Sequence, residues 1–215
     1  MKNWASWDWV KTKVVALTPS AVLRAIFYVW IFLLPWQTRY FWPATNFEPS
    51  ATEYATYSIF AVDIIFAGLL VGALAITRPI IWKRDRWLVV SLTALVAGVA
   101  VSFIHSSDRT LTLYYFGRLL AGVFLIWLVP QIKPSRQGVA WTLAGAGVIQ
   151  GFFAVTQFLT QQTWASKWLG LALHDPAVLG TAVVEVGIER WLRAYGSFPH
   201  PNILGGFLVL VALVL

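Results

Sequence analysis

The sequence predicts an all-α polytopic membrane protein, and three observations carry that expectation. Hydrophobic residues make up 59% of the 215 positions and charged residues 12%, with a mean hydropathy of +0.70, which is too apolar for a soluble domain of this size. Apolar runs recur along the chain, and the charged residues gather between them. Thirteen tryptophans and seven tyrosines suit aromatic belts at two membrane–water interfaces.

Residues 1–21 form an N-terminal segment. Trp4, Trp7 and Trp9 alternate there with polar residues ahead of Lys11 and Lys13, as in a stretch lying on the cytoplasmic leaflet or in a disordered tail. Residues 22–159 form a membrane domain with five expected transmembrane helices, at 22–36, 54–76, 87–104, 113–129 and 139–159. The second of these gives about 34 Å of helix at the usual rise per residue, enough to cross a bilayer core. Residues 160–202 form the longest loop, and residues 203–215 open a sixth apolar run. That run covers only about 20 Å, short of a full crossing, so the sixth helix is expected to be truncated.

The loops set the orientation. Under strict alternation, ten of the sixteen lysines and arginines fall on one side: Lys2, Lys11, Lys13, Arg24, Arg78, Lys83, Arg84, Arg86, Lys133 and Arg136. The positive-inside rule makes that side, and the N-terminus, cytoplasmic. The 160–202 loop is then extracytoplasmic. Within it, 164–173 reads as an interfacial helix ended by His174-Asp175-Pro176. Stretches 181–186 and 189–195 alternate and are rich in β-formers, so a hairpin about Gly187-Ile188 is expected. That pairing puts Trp191, Arg193 and Tyr195 on one face, and Arg190, Leu192 and Ala194 on the other.

Composition also excludes functions. The net charge of +7 follows the loops rather than one soluble face, which reads as topology and not as a nucleic-acid surface. With no cysteine, disulfides and thiolate chemistry are excluded. His105, His174 and His200 lie far apart without metal-ligand spacing, so no metal and no cofactor is expected.

The richest stretch is 189–208, ERWLRAYGSFPHPNILGGFL. Pro199 and Pro201 bias Phe198 and His200 toward extended backbone, and Asn202 stands where a helix N-cap is expected. Arg193 is the leading anion-binding candidate, since a guanidinium holds phosphate oxygens through paired N–H bonds that lysine cannot reproduce. His200, Arg118, Arg39 and Arg190 are further candidates for substrate contact. Arg190 also has Glu185 and Glu189 as possible partners, and His200 reads equally as a loop histidine bonded to backbone. Asp63, read as mid-span, is expected to pair with Arg118, because intramembrane charge is costly unless paired or used. Gly205 and Gly206 read as helix-packing residues.

The residues RAYGSFPHPNILGGF at 193–207 resemble the signature of the bacterial O-antigen ligase and polysaccharide polymerase superfamily: an arginine, then Gly-Ser-Phe, then a Pro-Asn pair opening a helix. The LPWQTR segment at 34–39 and the stretch from Glu53 to Asp63 are also similar to members of that family. The resemblance implies a metal-independent, GT-C-like glycosyltransferase in the bacterial inner membrane, of which this chain is the N-terminal portion. Such enzymes move a glycan from undecaprenyl diphosphate to a lipid A-core or polysaccharide acceptor on the periplasmic face. Arg193 matches the family's donor-diphosphate arginine. The family's second arginine and catalytic histidine belong to a later outer loop, so His200 does not take that role and the chain alone is expected to be inactive. Two other readings of the residues stay open. One is a transporter or flippase of lipid-linked glycan gated by Asp63 and Arg118; the other is a non-catalytic scaffold in contact with membrane lipids.

Overall fold

Helix α1, Pro19–Leu33, supplies four residues to the central core. Thr18 caps it, its hydroxyl accepting from the Ala21 amide, and Pro19 occupies the first turn, where a missing N–H costs nothing. Leu23, Phe27, Trp30 and Ile31 recur at helical spacing and are buried. They meet Leu69 and Ala73 of α2, Leu128 and Ile132 of α4, Leu143 of α5 and Val211 of α6 in one core. The computed structural model describes residues 18–43, 56–76 and 85–215. The expected N-terminal interfacial stretch therefore lies outside the described residues, as does most of the basic loop at 77–84.

Among the described residues, six α-helices and two hairpins come in order: α1, β1 (Arg39–Pro43), β2 (Thr56–Phe60), α2 (Ala61–Ile76), α3 (Arg86–Ser102), α4 (Arg109–Ile132), α5 (Arg136–Thr160), β3 (Val183–Val186), β4 (Glu189–Leu192) and α6 (Pro201–Val214). A short 3-10 turn, Phe103–His105, extends α3. Among the described residues, three helical stretches are long and apolar enough to cross a membrane: Arg86–His105, Arg109–Ile132 and Arg136–Thr160. Helices α1, α2 and α6 are apolar but shorter, at 15, 16 and 14 residues. Helix α3 buries none of its side chains.

The sharpest difference from the sequence expectation lies at 54–76. Residues 56–60 are not helical; they pair antiparallel with β1, Arg39 opposite Phe60 and Tyr40 opposite Ile59. Their composition, Thr-Tyr-Ser-Ile-Phe, suits a pleated strand better than a helix. Asp63 then sits in the first turn of α2 rather than mid-span, and its Oδ2 accepts from the Phe60 amide at 2.8 Å. An apolar run alone did not distinguish these two conformations.

The connection between α4 and α5 is tight. Lys133 adopts φ 53° and closes α4 in a left-handed cap, Pro134 follows it, and Ser135 caps α5 by accepting from the Gly138 amide. Tyr28 of α1 accepts from the Ser135 amide at 2.9 Å and ties that turn to the core. The 161–200 loop lies at the other end of α5. The chain lacks cysteine, so single cysteines report on each end separately. A cysteine replacing the exposed Gln162 should react with a membrane-impermeant maleimide in intact cells, and one replacing the exposed Gln137 only after lysis. Labelling of both from outside would contradict the positive-inside orientation.

Candidate functional site

Two glutamines of α5 and the glutamine that caps its C-terminus hold the loop between β4 and α6. Gln157 Oε1 accepts from the amides of Tyr195 and Gly196, each at 2.9 Å, while its Nε2 donates to the Gly196 carbonyl at 2.9 Å. Gln150 Oε1 accepts from the Ser197 amide at 2.9 Å. Gln161 Oε1 accepts from the Leu192 amide at 2.6 Å. Residues 193–197 run past the end of β4 with, among the described residues, no backbone partner on the β3 side beyond Ala182, whose carbonyl takes the Arg193 amide at 3.1 Å. Side-chain amides thus replace the missing ladder, as buried backbone polar groups require.

Gly196 is the pivot of this segment. Its φ is +60°, and a Cβ there would stand 2.7 Å from Gln150 Oε1 and 3.1 Å from Leu204. The Phe198 amide closes a turn onto the Tyr195 carbonyl. Ser197 is buried and its Oγ donates to the Pro35 carbonyl at 2.7 Å, joining the loop to the end of α1. Tyr195 stacks on His174 with ring centres 3.7 Å apart, and its hydroxyl accepts from the Ala182 amide.

Between Gly196 and α6 the chain turns and bends, and His200 at its end is extended. His200, at φ −149° and ψ 141°, is the N-cap of α6, and its Nδ1 accepts from the Asn202 amide at 3.2 Å. The expected cap at Asn202 is therefore displaced by two residues. Pro201 takes the first helical position, where its fixed φ fits, and this leaves Asn202 inside the first turn. The Asn202 side chain is freed for another bond: its Oδ1 accepts from Arg193 Nη2 at 2.8 Å. That is the guanidinium's hydrogen bond among the described residues.

Arg193 stands on the wall of a cavity of about 680 Å³ between the end of α5, the β3–β4 hairpin and α6. Phe158, Val184, Trp191 and Leu204 line it, and Gly205 opens its α6 side. Glu189 also lines it, with Oε2 accepting from Trp191 Nε1 at 3.0 Å. A Cβ at Gly205 or Gly206 would meet nothing within 4 Å, so the expected helix packing at these glycines is not seen among the described residues. Close approach occurs instead at Gly147, whose Cβ would lie 3.0 Å from Val211.

The remaining candidates sit elsewhere. Arg118 bonds Asp63 Oδ1 at 2.6 Å, the Ser58 carbonyl at 2.7 Å and the Tyr114 hydroxyl at 3.0 Å, a strut between α4 and the β2–α2 junction. The side chains of this pair are 33% and 35% exposed, so its charge attraction is screened and modest. Arg39 lies 5.6 Å from the centre of the Phe60 ring and lines a smaller recess with Lys167. Arg190 pairs across the hairpin with Glu185 at 3.6 Å and donates to the Ala177 carbonyl at 3.2 Å. His200 is exposed and serves as a cap. Arg193, Arg118 and Arg39 therefore line three separate depressions rather than one.

The β3–β4 hairpin forms where its alternation predicts, with Gly187 at φ +64°. It is shorter than expected, ending at Leu192, and the amides of Tyr195, Gly196 and Ser197 bond to α5 instead. The expected interfacial helix at 164–173 is not a helix. Ser166 and Leu171 bridge a reversed turn, and Gly170 sits at φ +65° with its α-carbon against the Gln37–Thr38 backbone. A left-handed glycine pressed on another chain segment ends any helix there. The glutamine ladder had a sequence signal that went unused. Positions 150, 157 and 161 fall within about 40° of one another on a helical wheel, a polar stripe along an otherwise apolar helix.

No family model, curated protein or solved structure matches this chain. The likeness to the O-antigen ligase superfamily accordingly rests on the residues at 34–39, 53–63 and 193–207 alone.

His174 supplies a pH dependence. Burial disfavours its charged form and lowers its pKa below the ordinary 6.5. Protons therefore bind the undocked loop before the docked one, and the stack on Tyr195 has its full stabilising effect above that ordinary value. The effect is lost progressively as pH falls from 6.5 toward the lowered value. Thermal melts followed by tryptophan fluorescence should show the midpoint dropping between about pH 7.5 and about pH 5 more in the wild type than in His174→Phe, which keeps a ring but does not titrate. Equal drops in the two proteins would remove His174 as the cause.

Proposed function

We propose that the chain is the N-terminal part of an O-antigen ligase-like glycosyltransferase of the bacterial inner membrane, and that it holds a glycan donor on undecaprenyl diphosphate. In this reading the glutamine-held loop faces the periplasm, and the acceptor is lipid A-core or a polysaccharide. The apolar helices α1, α2 and α6 join the three longer helices in the membrane domain.

The observation that carries the reading is the seat of Arg193. A polyprenyl diphosphate joins an apolar chain to a compact anion. The cavity beside Arg193 joins apolar walls from Phe158, Val184 and Leu204 to one fixed guanidinium. Asn202 holds one end of that guanidinium, so the planar fork is preorganised for a phosphate oxygen pair. Glu189 is turned onto Trp191, which occupies its carboxylate within the cavity wall.

The chemistry follows from charge. An acceptor hydroxyl attacks the anomeric carbon of the donor sugar, and the bond from that carbon to the diphosphate oxygen breaks. The electron pair leaves with undecaprenyl diphosphate, and the hydroxyl proton passes to a base. Arg193 lowers the barrier by neutralising charge that grows on the leaving diphosphate. The resemblance assigns the base to a histidine in a different loop of the family's enzymes, and the role of the residues described here is to bind and orient the donor.

Arg193→Lys tests the reading because it keeps the charge and removes the fork. In the full-length protein the variant should express normally and lose glycan transfer. In this chain it should bind undecaprenyl diphosphate about 10-fold or more weakly, read by native mass spectrometry in nanodiscs. Unchanged transfer together with unchanged binding would remove the assignment.

A further inference from the structure

The β3–β4 hairpin has two unlike faces. Cross-strand register sets Val184 opposite Trp191 and Val186 opposite Glu189 on one of them. The other carries Glu185 opposite Arg190, an ion pair at 3.6 Å, and the buried Leu192. Val184, Val186 and Trp191 line the large cavity, yet they stay 51%, 61% and 41% exposed. At the tip, Ile188 is fully exposed. Four large apolar side chains left open on one small hairpin form a patch that water disfavours.

The patch continues an apolar side of α5. Val148, Phe152, Val155 and Leu159 are each more than half exposed, and steps of four, three and four residues put them on one side of the helix. Gln150 and Gln157 are buried on the opposite side. Helix α5 is long and apolar enough to cross a membrane, and in a bilayer the exposed stripe is its lipid-facing side. Phe158 flanks that stripe, and its ring meets Trp191 with centres 6.5 Å apart. The lipid-facing side of α5 therefore runs onto the apolar face of the hairpin. The cavity lining runs from Pro201 to Leu208 on α6, about 10 Å of helix. The hairpin thus faces the first two turns of α6 across the cavity instead of standing clear of the helices.

We propose that the hairpin is seated in the bilayer leaflet at the C-terminal end of α5, with Val186 and Ile188 among phospholipid headgroups and upper acyl chains. Trp191 suits that depth, because tryptophan favours the membrane–water boundary. Glu189 is the one charge among the strand residues of this face, and its carboxylate accepts from Trp191 Nε1 at 3.0 Å. Headgroup depth keeps it hydrated, as the hydrocarbon centre would not. The Glu185–Arg190 pair lies on the face turned away from the cavity. A second copy of the chain is a poorer occupant, since four side chains fall well short of the roughly 1,200 Å² that a stable protein interface buries. The seat rests on α5 crossing a membrane, and not on Arg193 or on glycan transfer.

The test uses single spin labels, which the absence of native cysteine allows. Cysteines replace Val148, Glu185, Val186 and Ile188, all of them exposed, so the fold is spared. The chain is placed in phosphatidylethanolamine–phosphatidylglycerol vesicles. Power saturation is then read with oxygen, which concentrates in lipid, and with a water-soluble nickel chelate. Labels at 186 and 188 should be open to oxygen and shielded from nickel, about 5–10 Å below the headgroup boundary. The label at 185 should be open to nickel, and the label at 148 should lie deepest. Nickel access at 188 equal to that at 185 would put the tip in water and overturn the proposal. Shielding of 188 from both probes would show protein covering the tip, and would overturn it too. A label at 148 outside lipid would dismiss the membrane reading together with the seat, whereas 148 in lipid with 188 in water dismisses the seat alone.

Discussion

The amides of Leu192, Tyr195, Gly196 and Ser197 donate to side-chain amides of α5 and its C-cap, and the geometry of the loop between β4 and α6 depends on that exchange. A buried peptide left without a partner costs about 1–3 kcal/mol, and the loop between β4 and α6 carries several in succession. No strand is available to it past Ala182. Gln150 and Gln157 are both buried, and together with Gln161 they present amides at the level where the loop crosses α5. Gly196 makes the fit possible, because its left-handed backbone leaves room for the Gln150 oxygen. The segment is thus rigid without being regular, which is what a site needs if a charge is to be held still on irregular backbone.

From that fixed loop the two depressions acquire their positions. Arg193 leaves the loop on the α6 side and is caught by Asn202. Ser197 leaves it on the α1 side and is caught by Pro35. The same six or so residues therefore set the spacing between the cavity beside Arg193 and the smaller recess lined by Ser197 and Phe198. Arg118 is outside this arrangement. Its bonds to Asp63, Ser58 and Tyr114 brace the first hairpin against α4, and they leave it a mechanical role among the described residues.

Much of the helical framework was legible in the sequence, because long apolar runs bounded by charge and by Ser, Asp or Pro caps have few alternatives. Helices α3, α4 and α5 begin and end within a few residues of their apolar runs. The β3–β4 hairpin was legible for the same reason, through alternation about Gly187. What the pattern concealed was local. Residues 56–60 are apolar enough for a helix, and only pairing with Arg39–Pro43 makes them a strand. The 164–173 stretch is amphipathic enough for an interfacial helix, and only the contact of Gly170 with Gln37 folds it back. Asn202 lost its expected cap to His200 because the prolines on either side of that histidine had already fixed where α6 begins.

At the site, sequence reasoning found the cation and missed its support. Arg193 stood out by its charge in an apolar context, whereas the glutamines were uncharged and sat 32 to 43 residues away. Arg39 was singled out and Lys167 was not, since nothing local brings 166–171 against 37–38. The most direct measurement is amide hydrogen exchange of residues 195–197 in the wild type and in Gln157→Leu. Loss of the three Gln157 bonds should speed exchange at Tyr195 and Gly196 by about 30-fold or more, equivalent to about 2 kcal/mol of local opening, with the β3–β4 ladder unchanged. Equal protection in the two proteins would show that something other than the α5 glutamines holds the loop, and the basis for both depressions would be lost.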